Sequence, residues 1–471
     1  MEGTAPQSVN YANTLPLAVS STQNRRSYFP QNGQTFTSNS NNIIRIDVNA
    51  DGLLDCQQSY LEFSLADLGG SGVRTLDQGH VWIKRLTIES AGVVLEDINN
   101  YNRLISGILQ PAQGSAAYMG EVQLSMLGGS GNVNSDGAPD AFGETNFQNK
   151  LASVIFDAAG TPTANEPQDR KNATGVLAQG GTFTGQYHLV SGLLNMDKYI
   201  PLFLMGQGFT IQLELATGAE IGVTTAASTA NYSISNVRYV AHVVDMERDF
   251  YDMIRNIQME SGGSLMIGSS TFRHFSHAYD PAGVENVNIS ARVRSLENII
   301  FMGNQTANLT NKQVYGLSTG VTLGMDGGGS FNVFIGSVRY PSNTIAVNPI
   351  SNKGQAYQEL RKCFGSLGSI NHGGLLTAGT YLTSPTGTTV TGASAEHGNN
   401  PCYAPLGISF KSWRHELEDG IDTSSRALPI RLELTAGPTD AATNVATTLD
   451  IYCQATVLFY FNLDGSVSSS V

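Results

Sequence analysis

The chain has 471 residues, of which 41% are hydrophobic and only 14% charged, with 51 glycines and a formal net charge of −13. That length exceeds what one hydrophobic core usually serves and suits two units of about 200 residues each. Charged residues are scarce against the roughly 25% of ordinary soluble proteins, which points to an all-β chain with long surface loops, and the acidic balance argues against wrapping a phosphate backbone as the main task.

Residues 1–40 are rich in Asn, Ser, Gln and Pro and too poor in apolar side chains to form a core, so they are expected to be an extended N-terminal arm. Within it Tyr28-Phe29-Pro30 is a candidate anchor against a neighbour. The start of the chain lacks the basic residues and apolar run of a signal peptide, and no apolar run approaches the roughly 18 residues of a membrane span. Four scattered cysteines, Cys56, Cys363, Cys402 and Cys453, form no C-x-x-C pair and are expected to be free buried thiols. Together these features predict synthesis without a secretory signal, in a reducing compartment, as a soluble chain.

Alternation begins at Asn42, with Ile44, Ile46 and Val48 on one face, and recurs at 60–65 and 81–89. Then the period changes: Leu95, Ile98, Tyr101, Ile105 and Ile108 lie three or four apart and predict a helix. A small, polar stretch follows from about 111 to 181, too long for a mere connection. Strand signals resume at 182–189 and 199–204, then at Ile211-Gln-Leu-Glu-Leu and 232–244. A helix is predicted over 246–259, bridging the two halves, with Met246, Phe250, Met253, Ile254 and Ile257 on one face.

The second half repeats the programme. Strands are predicted at 264–268, 285–303 and 331–338, a helix at 356–364 stopped by Gly365, and a long loop at about 366–400. Strands at 408–411, Ile430-Arg-Leu-Glu-Leu and 449–461 close the chain. The I-x-L-E-L pattern therefore occurs once near the end of each half, followed each time by a polar loop and a second alternating run. Ile211, Leu213, Leu215, Ile430, Leu432 and Leu434 are expected to point inward. Glu214 and Glu433, on the other face, are candidates for water or for contacts between the halves. The expected organisation is an arm at 1–40, a first unit at 41–262 and a second at 263–471.

About eight short strands per half without β-α-β alternation suit antiparallel sandwiches, and two tandem jelly rolls fit best, because that fold tolerates long excursions. Several passages carry a family resemblance: Phe36 to Leu65, Trp82 to Leu109, Ser191 to Leu202, Val338-Arg-Tyr-Pro-Ser with the helix from Ala356, and Leu458 to Gly465. With this layout the chain resembles the double jelly-roll major capsid proteins of the tectivirus and adenovirus lineage, nearest to those of Polinton-like viruses. The resemblance implies a homotrimer whose six jelly rolls form a pseudo-hexagonal capsomer, tiling of an icosahedral shell in the virion, and penton, minor or cement proteins as partners. It implies no cofactor, no metal and no catalytic residue. Few charges also suit extensive subunit faces, which bury poorly when studded with lysines.

Enzyme signatures are weak. Gly316-Leu-Ser-Thr-Gly fits G-x-S-x-G but lacks the strand-to-helix setting that exposes a nucleophile. His274 and His277, with Asp280, would face opposite sides of a strand, which suits no metal. His415-Glu-Leu-Glu-Asp lacks the second histidine of a zinc protease, and Met325-Asp-Gly-Gly-Gly lacks the Lys-Ser/Thr of a phosphate loop. Carboxylate pairs such as Glu416 with Glu418, or Asp245 with Glu247, read as solvated charges rather than glycosidase pairs. Sequons at Asn172, Asn231, Asn288, Asn304 and Asn308 reflect composition. The alternatives to a capsid protein are a two-sandwich carbohydrate-binding or adhesion protein and, less favoured, a sandwich-fold glycoside hydrolase.

Overall fold

The computed structural model describes residues 20–68, 80–113, 182–196, 198–221, 231–279, 284–306, 323, 328–348, 353–364, 376, 381–382, 404–412, 419–426, 428–436 and 447–471. The first half supplies eight principal strands: β1 (Ser21–Tyr28), β2 (Ile43–Val48), β3 (Leu53–Asp67), β4 (Ile83–Ser90), β5 (Val93–Asn99), β6 (Thr182–Tyr187), β7 (Phe209–Leu215) and β8 (Tyr232–Met246). The second half supplies β9 (Ser264–Tyr279), β10 (Val284–Ile289), β11 (Leu296–Gln305), β12 (Gly329–Ile335), β13 (Val338–Val347), β14 (Leu406–Ser409), β15 (Ile430–Thr435) and β16 (Thr447–Asn462).

Pairing within the halves is the same, strand for strand. One sheet of the first half runs β1-β8-β3-β6 and the other β2-β7-β4-β5; the second half gives β9-β16-β11-β14 and β10-β15-β12-β13. All these pairings are antiparallel. Adding eight to any label gives its counterpart, so each half is a complete jelly roll of two four-stranded layers. The repeated I-x-L-E-L strands are the counterparts β7 and β15, each second in its sheet. Their inward side chains are the expected ones: Ile211, Leu213, Ile430, Leu432 and Leu434 are buried to 1% exposure or less, while Gln212, Glu214, Arg431 and Glu433 stand half-buried on the other face. Fully burying each Leu or Ile contributes roughly 1.5–3 kcal/mol of transfer free energy.

Three elements differ from expectation. Ser21–Tyr28, within the expected arm, is a complete edge strand paired with β8 over its whole length. Its polar sequence shows no alternation, because it lies at a sheet edge with most of its side chains exposed. Within the chain the Tyr28 hydroxyl donates to the Asn49 carbonyl at 2.8 Å, and Phe29 is exposed. The first predicted helix begins later than its spacing suggested, since Leu95 and Ile98 belong to β5. Asn100, in the left-handed region at φ 49°, ends that strand and turns the chain into the helical segment α1, which comprises Tyr101–Arg103, a π turn at Leu104–Leu109 and Gln110–Gln113. The helix between the halves, α2 (Arg248–Glu260), buries Gln258, whose amide donates to the Phe461 carbonyl at 2.8 Å, while Met253 and Ile257, expected on its apolar face, are exposed. The third helix, α3 (Gly354–Cys363), lies where predicted, with Ala356, Leu360 and Cys363 inward; Gly365 and the two long loops lie outside the described residues apart from 111–113, 376 and 381–382.

Strand direction gives each jelly roll two unlike ends. The connections β3–β4, α1–β6 and β7–β8, and their counterparts, leave from one end, and these hold most of the chain outside the described residues. The other end carries the short β4–β5 and β12–β13 turns and α2. There the backbone N–H of Gly206 in the first jelly roll donates to the Gly465 carbonyl of the second at 3.0 Å. Exposed apolar side chains gather at this base: Val93, Val94, Met253, Ile257, Met266 and Leu463 among them.

Candidate functional site

The most elaborate polar arrangement among the described residues lies between the two jelly rolls. It is built where β5 and α1 of the first meet β9 and β16 of the second. Asp450, on β16, interrupts an otherwise apolar run and is fully buried. Its Oδ1 accepts hydrogen bonds from Asn100 Nδ2 at 3.1 Å and His274 Nε2 at 2.8 Å; its Oδ2 accepts from Arg103 Nη1 at 3.2 Å and Asn304 Nδ2 at 3.0 Å. Asn100 and Arg103 come from the first jelly roll, and His274, Asn304 and Asp450 from the second. Tyr452, two residues along β16, donates its hydroxyl to the Asn100 carbonyl at 2.9 Å. The left-handed turn at Asn100 is thus a knob whose side chain and carbonyl are both held in a polar socket on the facing sheet.

Arg103 carries the connection back. Its Nη2 lies 3.6 Å from Glu220 Oε1, and Glu220 also pairs with Lys84. A second carboxylate, Glu96 on β5, accepts from Ser191 Oγ at 2.6 Å and from the backbone N–H groups of Gly192 and Leu193 at 2.8 and 3.3 Å. From across the seam it also accepts the hydroxyl of Thr271 on β9. Gly192 fits because it has no side chain: a Cβ there would stand 2.8 Å from the Ser270 carbonyl oxygen of the other jelly roll.

The electrostatics follow from burial and partners. Burial works to raise the Asp450 carboxyl, but the hydrogen bond from His274 and the Arg103 charge outweigh it and hold the group below the usual aspartate value of 3.8. Stability drawn from this ionised carboxylate is therefore complete above pH 3.8 and is lost as pH falls through the lower folded value. Glu220 behaves likewise, burial being overcome by Lys84, Thr217 and Arg103. Burial, reinforced by the neighbouring Asp450 charge, pushes the Tyr452 hydroxyl well above its ordinary range and keeps it a neutral donor.

Such a network is chemically a clamp. Every oxygen of its carboxylates is met by fixed donors, which suits holding two sandwiches in one orientation and leaves no lone pair for a substrate.

The residues singled out in the sequence fall elsewhere or take structural roles. His274 and His277 do part company across β9: the first serves Asp450, and the second lies 2.7 Å from Glu285 Oε1. Among the described residues no cluster of metal-ligating side chains occurs. Asp245 accepts from Asn24 at 2.7 Å and pairs with Arg26 at 3.5 Å, tying β1 in place, while Glu247 precedes α2. Asn304 is buried in the seam, so its sequon is inaccessible. Gly316-Leu-Ser-Thr-Gly, residues 325–327, His415, Glu416, Glu418, Asp280, Cys402, Asn172 and Asn308 lie outside the described residues. The other three cysteines are buried and free. Seam-building falls to residues that sequence reasoning passed over: Glu96, Asn100, Arg103 and Asp450. Glu214 instead stands beside Arg85 within its own sheet.

No protein-family model matches the sequence, and no curated protein does. Solved structures do. The chain is similar to PBCV-1 VP54 as fitted into a reconstruction of the virophage Sputnik, with 10% identity and a TM-score of 0.56 over 98% of this chain and 99% of that one. It is similar to a chain of the Sputnik virophage structure, with 11% identity and a TM-score of 0.53 over 100% of this chain and 93% of that one. The Faustovirus major capsid protein gives 10% identity and a TM-score of 0.51 over 96% and 92%. The fold is that of double jelly-roll major capsid proteins. Within a double jelly roll the seam sets how the second sandwich sits against the first, and here that setting is made by buried, fully partnered charge.

Proposed function

We propose that this chain is a structural major capsid protein that trimerises into a pseudo-hexameric capsomer and tiles an icosahedral shell. The observation that carries this reading is the strand-for-strand duplication joined by a buried clamp, since it makes one chain a rigid two-sandwich block. A shell needs many copies of a rigid unit meeting through surfaces repeated by symmetry. Double jelly-roll neighbours that are capsid proteins support the same reading. Residues 41–262 and 263–471 are taken as the bodies of the two units, parted at Gly262-Gly263 between α2 and β9, with β1 completing the first. Partners are then other copies of the chain, with penton and minor or cement proteins at the shell's special positions, and the working location is the virion. The role is mechanical rather than catalytic.

Negative-stain electron microscopy of the purified chain tests the proposal. Pseudo-hexagonal particles with a threefold axis are expected. Single two-lobed particles at every concentration, with glycan binding by the isolated monomer, would replace the capsid reading by the adhesion one.

A further inference from the structure

The helix α2 is held to the body of the chain by its polar stripe, Tyr251, Arg255 and Gln258 at positions i, i+4 and i+7. The Tyr251 hydroxyl accepts from the backbone N–H of Met246 at 2.8 Å, and its ring centroid lies 4.5 Å from that of Phe203. The Arg255 guanidinium stands over the Phe203 ring at 6.0 Å, and Gln258 is buried against the Phe461 carbonyl. The apolar residues Phe250, Met253, Ile254 and Ile257, at i, i+3, i+4 and i+7, form a second stripe centred about a third of a turn away. Phe250 and Ile254 are half-buried, while Met253 and Ile257 are 48% and 46% exposed. An amphipathic helix normally turns such a stripe to the core; among the described residues the outer half of this one is uncovered.

The N-terminal segment of the same chain arrives beside it. β1 runs antiparallel to β8 with Ser21 opposite Met246, so Ser20 stands at the base, next to the point where β8 passes into α2. Immediately before it the sequence reads Leu15-Pro16-Leu17-Ala18-Val19, and no charged side chain occurs between Glu2 and Arg25. Pro16 has no N–H and disfavours a helical residue before it, which suits an extended path. On such a path Leu15, Leu17 and Val19 share one face. Five extended residues span about 17 Å at roughly 3.3 Å each, and Phe250 to Ile257 spans about 10 Å of helix, so the segment is long enough to line the whole stripe.

We infer that Leu15, Leu17 and Val19 dock on the stripe of Phe250, Met253, Ile254 and Ile257 in their own chain and cover it. Tethering favours this occupant, since a short linker holds a segment at an effective concentration of the order of millimolar. Charge favours it too: α2 and the residue before it carry Glu247, Asp249, Asp252 and Glu260 against Arg248 and Arg255, a balance that repels anionic lipid but not an uncharged segment. The cover is independent of the capsid reading and stands in a single chain.

Oxidation by dilute hydrogen peroxide reads the cover, because Met253 lies in the stripe and Met259, 62% exposed, lies outside it on the same helix. Rates at the two methionines are measured by peptide mass mapping in the full chain, a chain beginning at Ser20 and the Leu17→Asp chain, with thermal melting as the folding control. In the full chain Met253 is expected to oxidise about tenfold more slowly than Met259, and in both altered chains at within about twofold of it. Equal rates in the full chain overturn the inference. A slow Met253 that persists without residues 1–19 overturns it too, since that marks a second copy as the cover, and so does protection that needs added phosphatidylcholine vesicles, since that marks a bilayer. If the shortened chain melts far below wild type, Leu17→Asp decides under the same criteria. Cysteine pairs show whose segment it is: Leu15→Cys, Leu17→Cys and Val19→Cys are each combined with Met253→Cys and oxidised with oxidised glutathione. At least one pair is expected to form a disulfide that leaves a single-chain mass on a denaturing, non-reducing gel. A two-chain mass, or no disulfide from any of the three, overturns the assignment.

Discussion

Replacing Asp450 with asparagine should unlock the two jelly rolls from each other. The carboxylate is fully buried and accepts from four side chains, two on each oxygen. An amide keeps one oxygen, so the donors on the other side meet an N–H group. Where the amide nitrogen faces it, Arg103, whose side chain is 7% exposed, would keep Glu220 alone as an ion-pair partner among the described residues, and Lys84 already pairs that carboxylate. At 3.2 Å the Arg103–Asp450 attraction is roughly 5 kcal/mol for an effective dielectric near 20, and removing one partner of a buried pair costs about 3–5 kcal/mol overall. Urea unfolding at fixed chain concentration should register that loss, and calorimetry should show one transition resolving into two as the halves uncouple. The paired change Arg103→Met with Asp450→Leu removes both charges and should recover at least half of the loss. A cost under about 1 kcal/mol with a single transition retained would refute the clamp.

Other consequences follow from single positions. Gly192→Ala places a Cβ 2.8 Å from the Ser270 carbonyl oxygen, so it should begin to split the single calorimetric transition while leaving far-UV circular dichroism unchanged. Leu213→Ala and Leu432→Ala remove counterpart side chains, the first between Ile44 and Leu86 and the second between Val287 and Val333, and each should cost about 2–5 kcal/mol in urea unfolding. His80 is fully buried, 2.7 Å from Ser106 Oγ, and burial lowers it from 6.5 to about 3. The unfolded chain takes up a proton below 6.5 that the folded chain refuses, so this contribution is complete above that pH and is lost as pH falls towards 3. Between pH 7.5 and 5 the loss is about 2 kcal/mol, and His80→Gln should remove that part of the slope; an unchanged slope would contradict the assignment.

The sandwich strands were legible because each has one wet and one dry face, which writes period two into Ile44-Arg45-Ile46-Asp47-Val48 and Ile211-Gln212-Leu213-Glu214-Leu215. Duplication was legible for the same reason, since β7 and β15 sit second in their sheets between two partners and keep the full pattern. β1 was not legible: an exposed edge strand needs no apolar face, so Ser21–Tyr28 reads as a polar arm. Leu95 and Ile98 fall three apart and imitate a helix, and only the left-handed Asn100 marks where β5 ends. The seam was hidden for a different reason. Glu96, Asn100 and Arg103 are close in the chain, but His274, Asn304 and Asp450 lie on three distant strands, and no local spacing links the two sets. One signal was present in Leu449-Asp450-Ile451-Tyr452-Cys453, where a lone carboxylate in an apolar strand breaks the local rule and marks a partner elsewhere in the fold.

The proposed capsid role requires this clamped double block to assemble in threes. Native mass spectrometry of the full chain at micromolar concentration tests it most directly. A dominant species of three chains, with larger species in multiples of three, is the predicted result; a chain that stays monomeric at every concentration, or assembles only in twos, would contradict it.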